Sequence, residues 1–554
     1  MSHKYTIGID FGTLSGRAVI VDTADGRELA ESVKEYSHGV IDSILPSTGE
    51  KLPPNWALED PADYLDVLYT IVPDVIKKSG VKKTDIIAMG VDFTTCTILP
   101  IYEDGTPLCF DEKFKGEKNA WVKLWKHHSA QKYADRINEL YVERKDTWLD
   151  KCSGGKMSSE SVLPKVWQTI DEAPLVYENA DRFIEAADWI TMQLTGELTR
   201  SSVLAGFKAC YTPEDGYTPK EFLRLCDERL VDFFDKKGSG KIVNPGEIAG
   251  YVTKSAAEKL GLPEGIPVTG GMPDAHIGGY PIGITADGDM FGIFGTSNCY
   301  FLMTREYLPV KGICGCVKGG IIPDLYLYEA GLCCFGDHFA WVADKITPAE
   351  YKAEAEKEGI SILQLLIRKA SKLAPGESGL LALDWWNGNR NILVNNELSG
   401  MILGLSLRTK PEEILRALIE ATAFGTRIIF DNYREYGAKL ERFIAAGGVP
   451  RKDPFTMQLF ADVLGMKIEV SSTKQAAALG DAIHAAAIAG KRNGGYDSIE
   501  EAINAMKSPV CAEYVPDKEA HEVYDRLFEE YKRLHDYFGR GENDVMMRLR
   551  QING

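Results

Sequence analysis

Short apolar runs broken by glycine-rich turns dominate the start of the chain, and the period of the pattern changes along it. Residues 5–9 form a β-prone run that ends at Asp10, followed by the turn Gly12-Thr13-Leu14-Ser15-Gly16. Arg17 opens a second strand over 18–21, Asp25-Gly26 is a hairpin signal, and 28–36 gives a third strand. The spacing then becomes helical: Asp60 is a candidate N-cap with Pro61 behind it, and Tyr64, Leu65, Leu68, Ile71, Val72 and Val75 recur on one face. Residues 86–91 read as a buried strand ending at Asp92. Trp121 and Trp125, four apart, predict a helix that carries both on one side. Near the end, Val523, Leu527, Tyr531, Leu534 and Phe538 predict a helix whose apolar stripe packs onto the second domain.

The pattern also repeats. Gly8-Ile9-Asp10-Phe11-Gly12-Thr13-Leu14-Ser15 resembles Gly292-Ile293-Phe294-Gly295-Thr296-Ser297 with two residues deleted, and each copy lies between strand-like runs. Matching flanks, one copy in each half, point to duplication. The polar stretch 284–289 marks a boundary, which predicts domains over 1–283 and 284–554. A chain of 554 residues fits two such domains, because single cores stop growing at roughly 250–300 residues.

Composition removes other readings. With 44% hydrophobic and 26% charged residues the chain is globular rather than disordered. Its net charge of −18 argues against nucleic acid or an anionic membrane as the main partner. No apolar run nears the roughly 18 residues that span a bilayer, and the first residues have no secretory pattern. The 11 cysteines lack zinc spacing, so reduced thiols in a cytoplasmic protein are expected.

Three segments carry candidate chemistry. A strand ending in a Gly-Thr/Ser turn exposes backbone N–H groups and hydroxyls that suit phosphate oxygens. One such turn is most often an ordinary hairpin; two facing each other would clamp a nucleotide's phosphates. Asp10, absent from the second copy, would repel bare phosphate and makes sense beside a bridging Mg²⁺. Ala445-Ala446-Gly447-Gly448-Val449-Pro450 follows an apolar run and offers bare backbone to a base and ribose, or is simply a tight strand-to-helix turn. In Thr269-Gly270-Gly271-Met272-Pro273-Asp274-Ala275-His276, Asp274 is either a helix cap or a general base that accepts a hydroxyl proton during phosphoryl transfer, while His276 packs one turn onward. Lys208 and Glu329 are charges among apolar neighbours, placed either on a solvated face or in a polar pocket.

Taken together, the chain resembles the FGGY carbohydrate kinase family. The resemblance rests on Ile7-Gly8-Ile9-Asp10-Phe11-Gly12-Thr13, Asp188-Trp189-Ile190, Leu194-Thr195-Gly196, Gly271-Met272-Pro273-Asp274-Ala275-His276, Gly295-Thr296-Ser297 and Ala446-Gly447-Gly448 ahead of Gln458 and Ala461-Asp462. Asp92-Phe93-Thr94-Thr95-Cys96-Thr97, Leu124-Trp125-Lys126-His127-His128 and Asp384-Trp385-Trp386-Asn387-Gly388-Asn389-Arg390 make it most similar to the branch that phosphorylates ribulose.

The resemblance implies an α/β protein of two ribonuclease H-like domains of the actin/hexokinase type, with ATP and sugar in an interdomain cleft. It implies ATP and Mg²⁺ as cofactors, a ketopentose (L-ribulose first) as substrate, and a homodimer as assembly. Asp274 would be the catalytic base. Thr95, Cys96, Trp125, Lys208, Asp274 and Glu329 would surround the sugar. Asp10, Gly12, Thr13, Arg17, Gly295, Thr296, Ser297, Gly447 and Gly448 would serve the nucleotide, with Asp10 on the metal. The chain departs from the pattern at Asn391-Ile392-Leu393-Val394-Asn395-Asn396, where Ser/Thr-Pro is usual, and at Thr95, where a smaller residue is common. A sensor on the same fold, or an assembly ATPase, would need no acceptor sugar; intact Asp10, Asp274 and both turns favour the kinase.

Overall fold

The computed structural model describes residues 3–552. The chain forms two compact units, neither of them a single stretch: one takes the chain through Thr285 with Gly315–Leu327 and Gln475–Ser508, and the other takes Ala286–Cys314, Tyr328–Lys474 and the remainder from Pro509. The expected division at 283/284 assumed one continuous segment per half. The returning segment 475–508 departs from it because its first helix is built to lie on the first unit's sheet.

In the first unit, β1 (Tyr5–Phe11), β2 (Ser15–Asp22) and β3 (Glu28–Glu35) form an antiparallel meander. On the other side of β1 lies β4 (Ile86–Phe93), parallel to it, followed by β6 (Pro267–Thr269) and the antiparallel β5 (Ile248–Tyr251). The two-residue strand β7 (Met272–Pro273) also pairs with β4. The Pro61–Ser79 helix begins as its sequence dictates, with the Asp60 side chain accepting from the Ala62 N–H and Pro61 in the first turn. Its apolar face packs on β2 and β3, where Phe11 and Phe93 stack at 5.1 Å with Tyr64 edge-on to both.

The other side of this sheet is covered by the Ala476–Ala489 helix, AAALGDAIHAAAIA, buried nearly all round and made mostly of alanine. Small residues on both surfaces let it press against β1 and β4: Gly8 lies against Ala478, and Gly90 against Asp481.

One short strand from before β4 and three from between β4 and β5 build a second layer: Leu58–Glu59, Val122–Lys123, Ile98–Ile101 and Arg182–Glu185, paired in that order. It has its own apolar core, including Trp56, Trp121, Ile137, Leu163, Val166 and Phe233. The helix expected to carry Trp121 and Trp125 is absent. The chain there is extended because Val122–Lys123 pairs with Leu58–Glu59, and the Leu124 N–H donates to the Ala57 carbonyl. A four-residue spacing returns to the same side in a strand as well as in a helix.

In the second unit, β8 (Asp289–Phe294) pairs antiparallel with β9 (Asn298–Thr304), and β10 (Tyr326–Leu332) follows at that edge. On the other side come β11 (Arg442–Gly447) and β12 (Ile468–Ser471), both parallel, and then the antiparallel β13 (Val510–Tyr514). The order β10-β9-β8-β11-β12-β13 repeats β3-β2-β1-β4-β6-β5. The repeat seen in sequence is therefore a repeat of topology, and each half has the ribonuclease H-like arrangement.

The Lys518–Gly539 helix lies where the terminal stripe predicts one, but the buried face is Tyr524, Phe528, Tyr531 and His535, with Val523, Leu527, Leu534 and Phe538 on its flanks. The stripe is shifted because aromatic bodies with polar tips do the burying: the Tyr531 hydroxyl donates to Asp384 at 2.6 Å, and Tyr524 meets Arg416 and Glu420. The divergent loop is held by Asn391, whose side-chain oxygen accepts from the Gly331 N–H at 2.5 Å, and it places Ile392 and Val394 at φ 71° and 48°.

Candidate functional site

The first unit collects its candidate residues at the carboxyl ends of β1, β4 and β7, the usual ligand edge of such sheets. Asp10 on β1 is in register with Asp92 on β4, and Asp92 with Met272 on β7. Asp274 follows two residues later as the first residue of a four-residue helix; its Oδ1 accepts the Ala275 N–H at 2.7 Å. Pro273, not Asp274, occupies the cap position. His276 is buried edge-on to Phe207 at 4.8 Å, the packing role expected of it.

Beside this row stands Asp481, delivered by the alanine-rich helix. Burial pushes both Asp92 and Asp481 far above the usual carboxylate range, and for Asp92 the neighbouring charges of Asp481, Asp10 and Asp274 add to the effect. The two carboxyls are fully buried beside one another, so desolvation and mutual repulsion both oppose their ionisation. Neither acid was singled out for a role from sequence. The signal for Asp92 was its place after a buried strand, matching Asp10; for Asp481, a lone carboxylate in an alanine run.

The first Gly-Thr turn is a tight hairpin in which the Gly12 N–H donates to the Ser15 carbonyl at 3.0 Å. Arg17, opposite Asp10 in register, reaches Asp10 at 3.3 Å and Glu31 at 3.2 Å. Burial raises the Asp10 carboxyl while Arg17 pulls it down. The Trp125 indole N–H donates to the Thr13 hydroxyl at 3.1 Å, joining the Gly12-Thr13 turn to the sugar-side candidates.

Of those, Cys96 sits at the Thr94-Thr95-Cys96-Thr97 turn with φ 63°, a conformation few residues other than glycine adopt. Its thiol is buried and pushed well up, so it is no thiolate. Thr95 beside it is half-buried, and the Thr94 and Thr97 hydroxyls bond at 2.7 Å. Lys208 is largely buried at the end of the Ser202–Ala209 helix, paired with Glu160 at 3.4 Å, with its ammonium over the Phe207 ring.

The second unit gathers its own group at the ends of β8 and β11. The Gly295 N–H donates to the Ser297 carbonyl at 3.0 Å, while the Gly295 and Thr296 carbonyls accept from the Gly336 and Phe335 N–H groups. Thr296 is exposed and Ser297 half-buried, so two hydroxyls stand on a braced loop. Gly447, paired with Phe294, has φ 120°, and a Cβ there would lie 2.4 Å from the Phe294 carbonyl oxygen. Gly447 is thus required by the fold itself. Gly448 meets nothing within 4 Å. Gly448→Ala should leave the melting temperature within about 1–2 °C, since surface changes usually stay within about 0.5 kcal/mol. If a nucleotide lies against this backbone, the same change raises the KM for ATP several-fold without moving that for sugar. Glu329 is half-buried on β10.

Mg²⁺ keeps several waters and takes one or two carboxylates plus phosphate oxygens. No group of three or more His, Cys, Asp or Glu residues among the described residues is arranged to hold a metal. The Asp10 carboxylate beside a Gly-Thr turn fits that mode rather than an all-protein cage. All eleven cysteines are free, and among the described residues no helix is long and apolar enough to cross a membrane.

Comparison with known proteins agrees with this layout. Residues 5–279 match the N-terminal domain of the FGGY family of carbohydrate kinases and residues 290–489 match its C-terminal domain. The chain is 49% identical to the ribulokinase of Halalkalibacterium halodurans, over 100% of this chain and 98% of that one, and 48% identical to the ribulokinase of Anoxybacillus flavithermus, over 99% and 97%. Its fold is similar to that of gluconate kinase from Lactobacillus acidophilus (TM-score 0.81, 19% identity, 98% of this chain and 99% of that one) and xylulose kinase from Rhodospirillum rubrum (0.78, 22%, 97% and 99%). With two duplicated halves, each ending its central strands in a Gly-Thr turn, and both family domains matched along its length, the chain belongs to the FGGY family of carbohydrate kinases.

Proposed function

We propose that the chain transfers the γ-phosphoryl group of ATP to the terminal hydroxyl of L-ribulose, giving L-ribulose 5-phosphate, as in L-arabinose catabolism. The observation that carries this reading is the 49% identity, over essentially the whole of both chains, to a protein named ribulokinase. The site supplies a mechanism. Lys208, Glu329, Trp125 and the Thr95-Cys96 turn hold the sugar through hydroxyl contacts and one aromatic face. Asp274 accepts the proton of the terminal hydroxyl as its oxygen attacks the γ-phosphorus. The Gly12-Thr13 and Gly295-Thr296-Ser297 turns hold phosphate oxygens, and Gly447-Gly448 borders the adenosine. Arg17 keeps Asp10 oriented. Asp10 would hold Mg²⁺ through its carboxylate, and the bound ion neutralises phosphate charge. Little covalent work falls to the protein, so positioning dominates. The free thiols fit a cytoplasmic enzyme, and a homodimer is the proposed assembly.

The test is kcat/KM across the four 2-ketopentoses with xylitol, ribitol and glycerol, read by coupled ADP release. L-Ribulose should lead by about tenfold or more, since a site built to bond sugar hydroxyls rejects analogues that leave its polar groups unpaired. Xylulose or glycerol turning over while both ribuloses fail would overturn the assignment.

A further inference from the structure

One fully buried lysine has no part in the mechanism above. Lys165 lies on the inner face of the Val162–Glu172 helix, with no exposed surface. Its ammonium donates to two main-chain carbonyls, that of Cys96 at 2.6 Å and that of Leu124 at 2.8 Å. Its own carbonyl accepts from a second buried lysine, Lys123, at 3.1 Å; Lys123 also donates to Gln168 and Thr169. Burying a cation is costly and is rarely found where an apolar side chain would serve.

The two carbonyls identify the task. Cys96 is the left-handed residue of the Thr95-Cys96 turn, and Leu124 directly precedes Trp125, whose indole is tied to Thr13. These segments come from different strands and meet in the short sheet only at the Ile98–Lys123 pair. The left-handed conformation at Cys96 is strained for any residue but glycine and persists only where its surroundings hold it. A donor on its carbonyl is such a hold. Burial pulls the Lys165 pKa down, and Cys96, Glu185 and Glu160 oppose that.

We propose that Lys165 is a positioning residue for sugar selection: by bridging the Cys96 and Leu124 carbonyls it sets the spacing between the Thr95-Cys96 turn and Trp125, and so decides which 2-ketopentose fits. This rests on the reading of those two segments as sugar-contacting. An aliphatic residue of the same length would fill the space but could bridge neither carbonyl, leaving that of Cys96 without its donor and that of Leu124 with the His127 N–H alone.

The experiment compares Lys165→Met, Cys96→Gly, the double variant and Lys208→Met in the full-length enzyme. Lys165→Met should raise the KM for L-ribulose at least tenfold, leave the KM for ATP within about twofold, and lower the ratio of kcat/KM for L-ribulose over the other 2-ketopentoses at least fivefold. That ratio does not depend on the fraction of folded enzyme. Glycine adopts the left-handed conformation without cost, so adding Cys96→Gly should recover about half of the lost ratio and no more, because the Leu124 carbonyl still lacks its Lys165 donor. If Lys165→Met does not fold, the double variant, relieved at Cys96, carries the comparison against Cys96→Gly. An unchanged ratio in whichever variant folds overturns the proposal, as does loss of folding in both, which would make Lys165 a support of the whole layer. Lys208→Met separates the two failures. If it raises the sugar KM while the Lys165 variants keep the ratio, the positioning role alone falls; if it leaves the sugar KM unchanged, the sugar-site reading falls.

Discussion

Replacing Asp274 by asparagine should lower kcat by about 10²–10⁴-fold, the usual contribution of a positioned general base, while the dissociation constants for ATP and sugar stay within a few-fold. The substitution keeps the side chain's size and its acceptor oxygen, so the bond from the Ala275 N–H survives. The negative charge and the capacity to take a proton are lost. The local fold does not depend on the charge: β7 pairs with Asp92 and Phe93 through backbone alone, and Asp274 is not the cap of its short helix. Coupled ADP release measures kcat, and calorimetry measures binding. A variant with near-normal kcat would remove Asp274 from the base role; one that no longer binds sugar would show that its charge serves binding rather than proton transfer.

What was legible in the sequence was local. The two hairpins were readable because a period-2 run, a Gly-Thr turn and a second run occupy fewer than twenty residues each, and the Pro61–Ser79 helix because cap, proline and apolar face are contiguous. Trp121 and Trp125 misled because their spacing suits strand and helix alike; the deciding partner, Leu58–Glu59, lies some sixty residues away. Asp481 and Lys165 carry no local signal that names a partner. One is an acid in an alanine run, the other a lysine on an amphipathic helix, and each matters through a partner hundreds or tens of residues distant: Asp92 for the first, Cys96 and Leu124 for the second.

The same dependence on distant partners makes Gly8 the most sensitive position for folding. Gly8→Ala should abolish soluble, cooperatively melting protein, or cost well over 4 kcal/mol where any folds. Domains of this kind are stable by only about 5–15 kcal/mol, and losses above about 4 signal a specific clash. The clash is specific here. A Cβ at Gly8 would lie 1.8 Å from the Ala478 carbonyl oxygen and 2.8 Å from the Ala482 nitrogen, both main-chain atoms of the Ala476–Ala489 helix. No rotamer change relieves contact with backbone, so the helix itself must move. It is held by the Thr6 hydroxyl donating to the Ala482 carbonyl at 2.8 Å and by the equally close fit of Gly90 to Asp481, where a Cβ would stand 2.2 Å from the carbonyl oxygen. Withdrawal therefore breaks a buried hydrogen bond and uncovers the face of β1 and β4. Gly12→Ala is the control on the same strand-turn unit: its Cβ would meet only the Ser15 carbonyl oxygen at 3.5 Å, an ordinary contact, and its melting temperature should stay within about 2 °C of the parent. Soluble expression and thermal unfolding of the two variants test this directly. A Gly8→Ala protein that melts cooperatively near the parent's temperature would mean that the helix docks with slack, and the close approach could no longer explain why residues 475–508 return to the first unit.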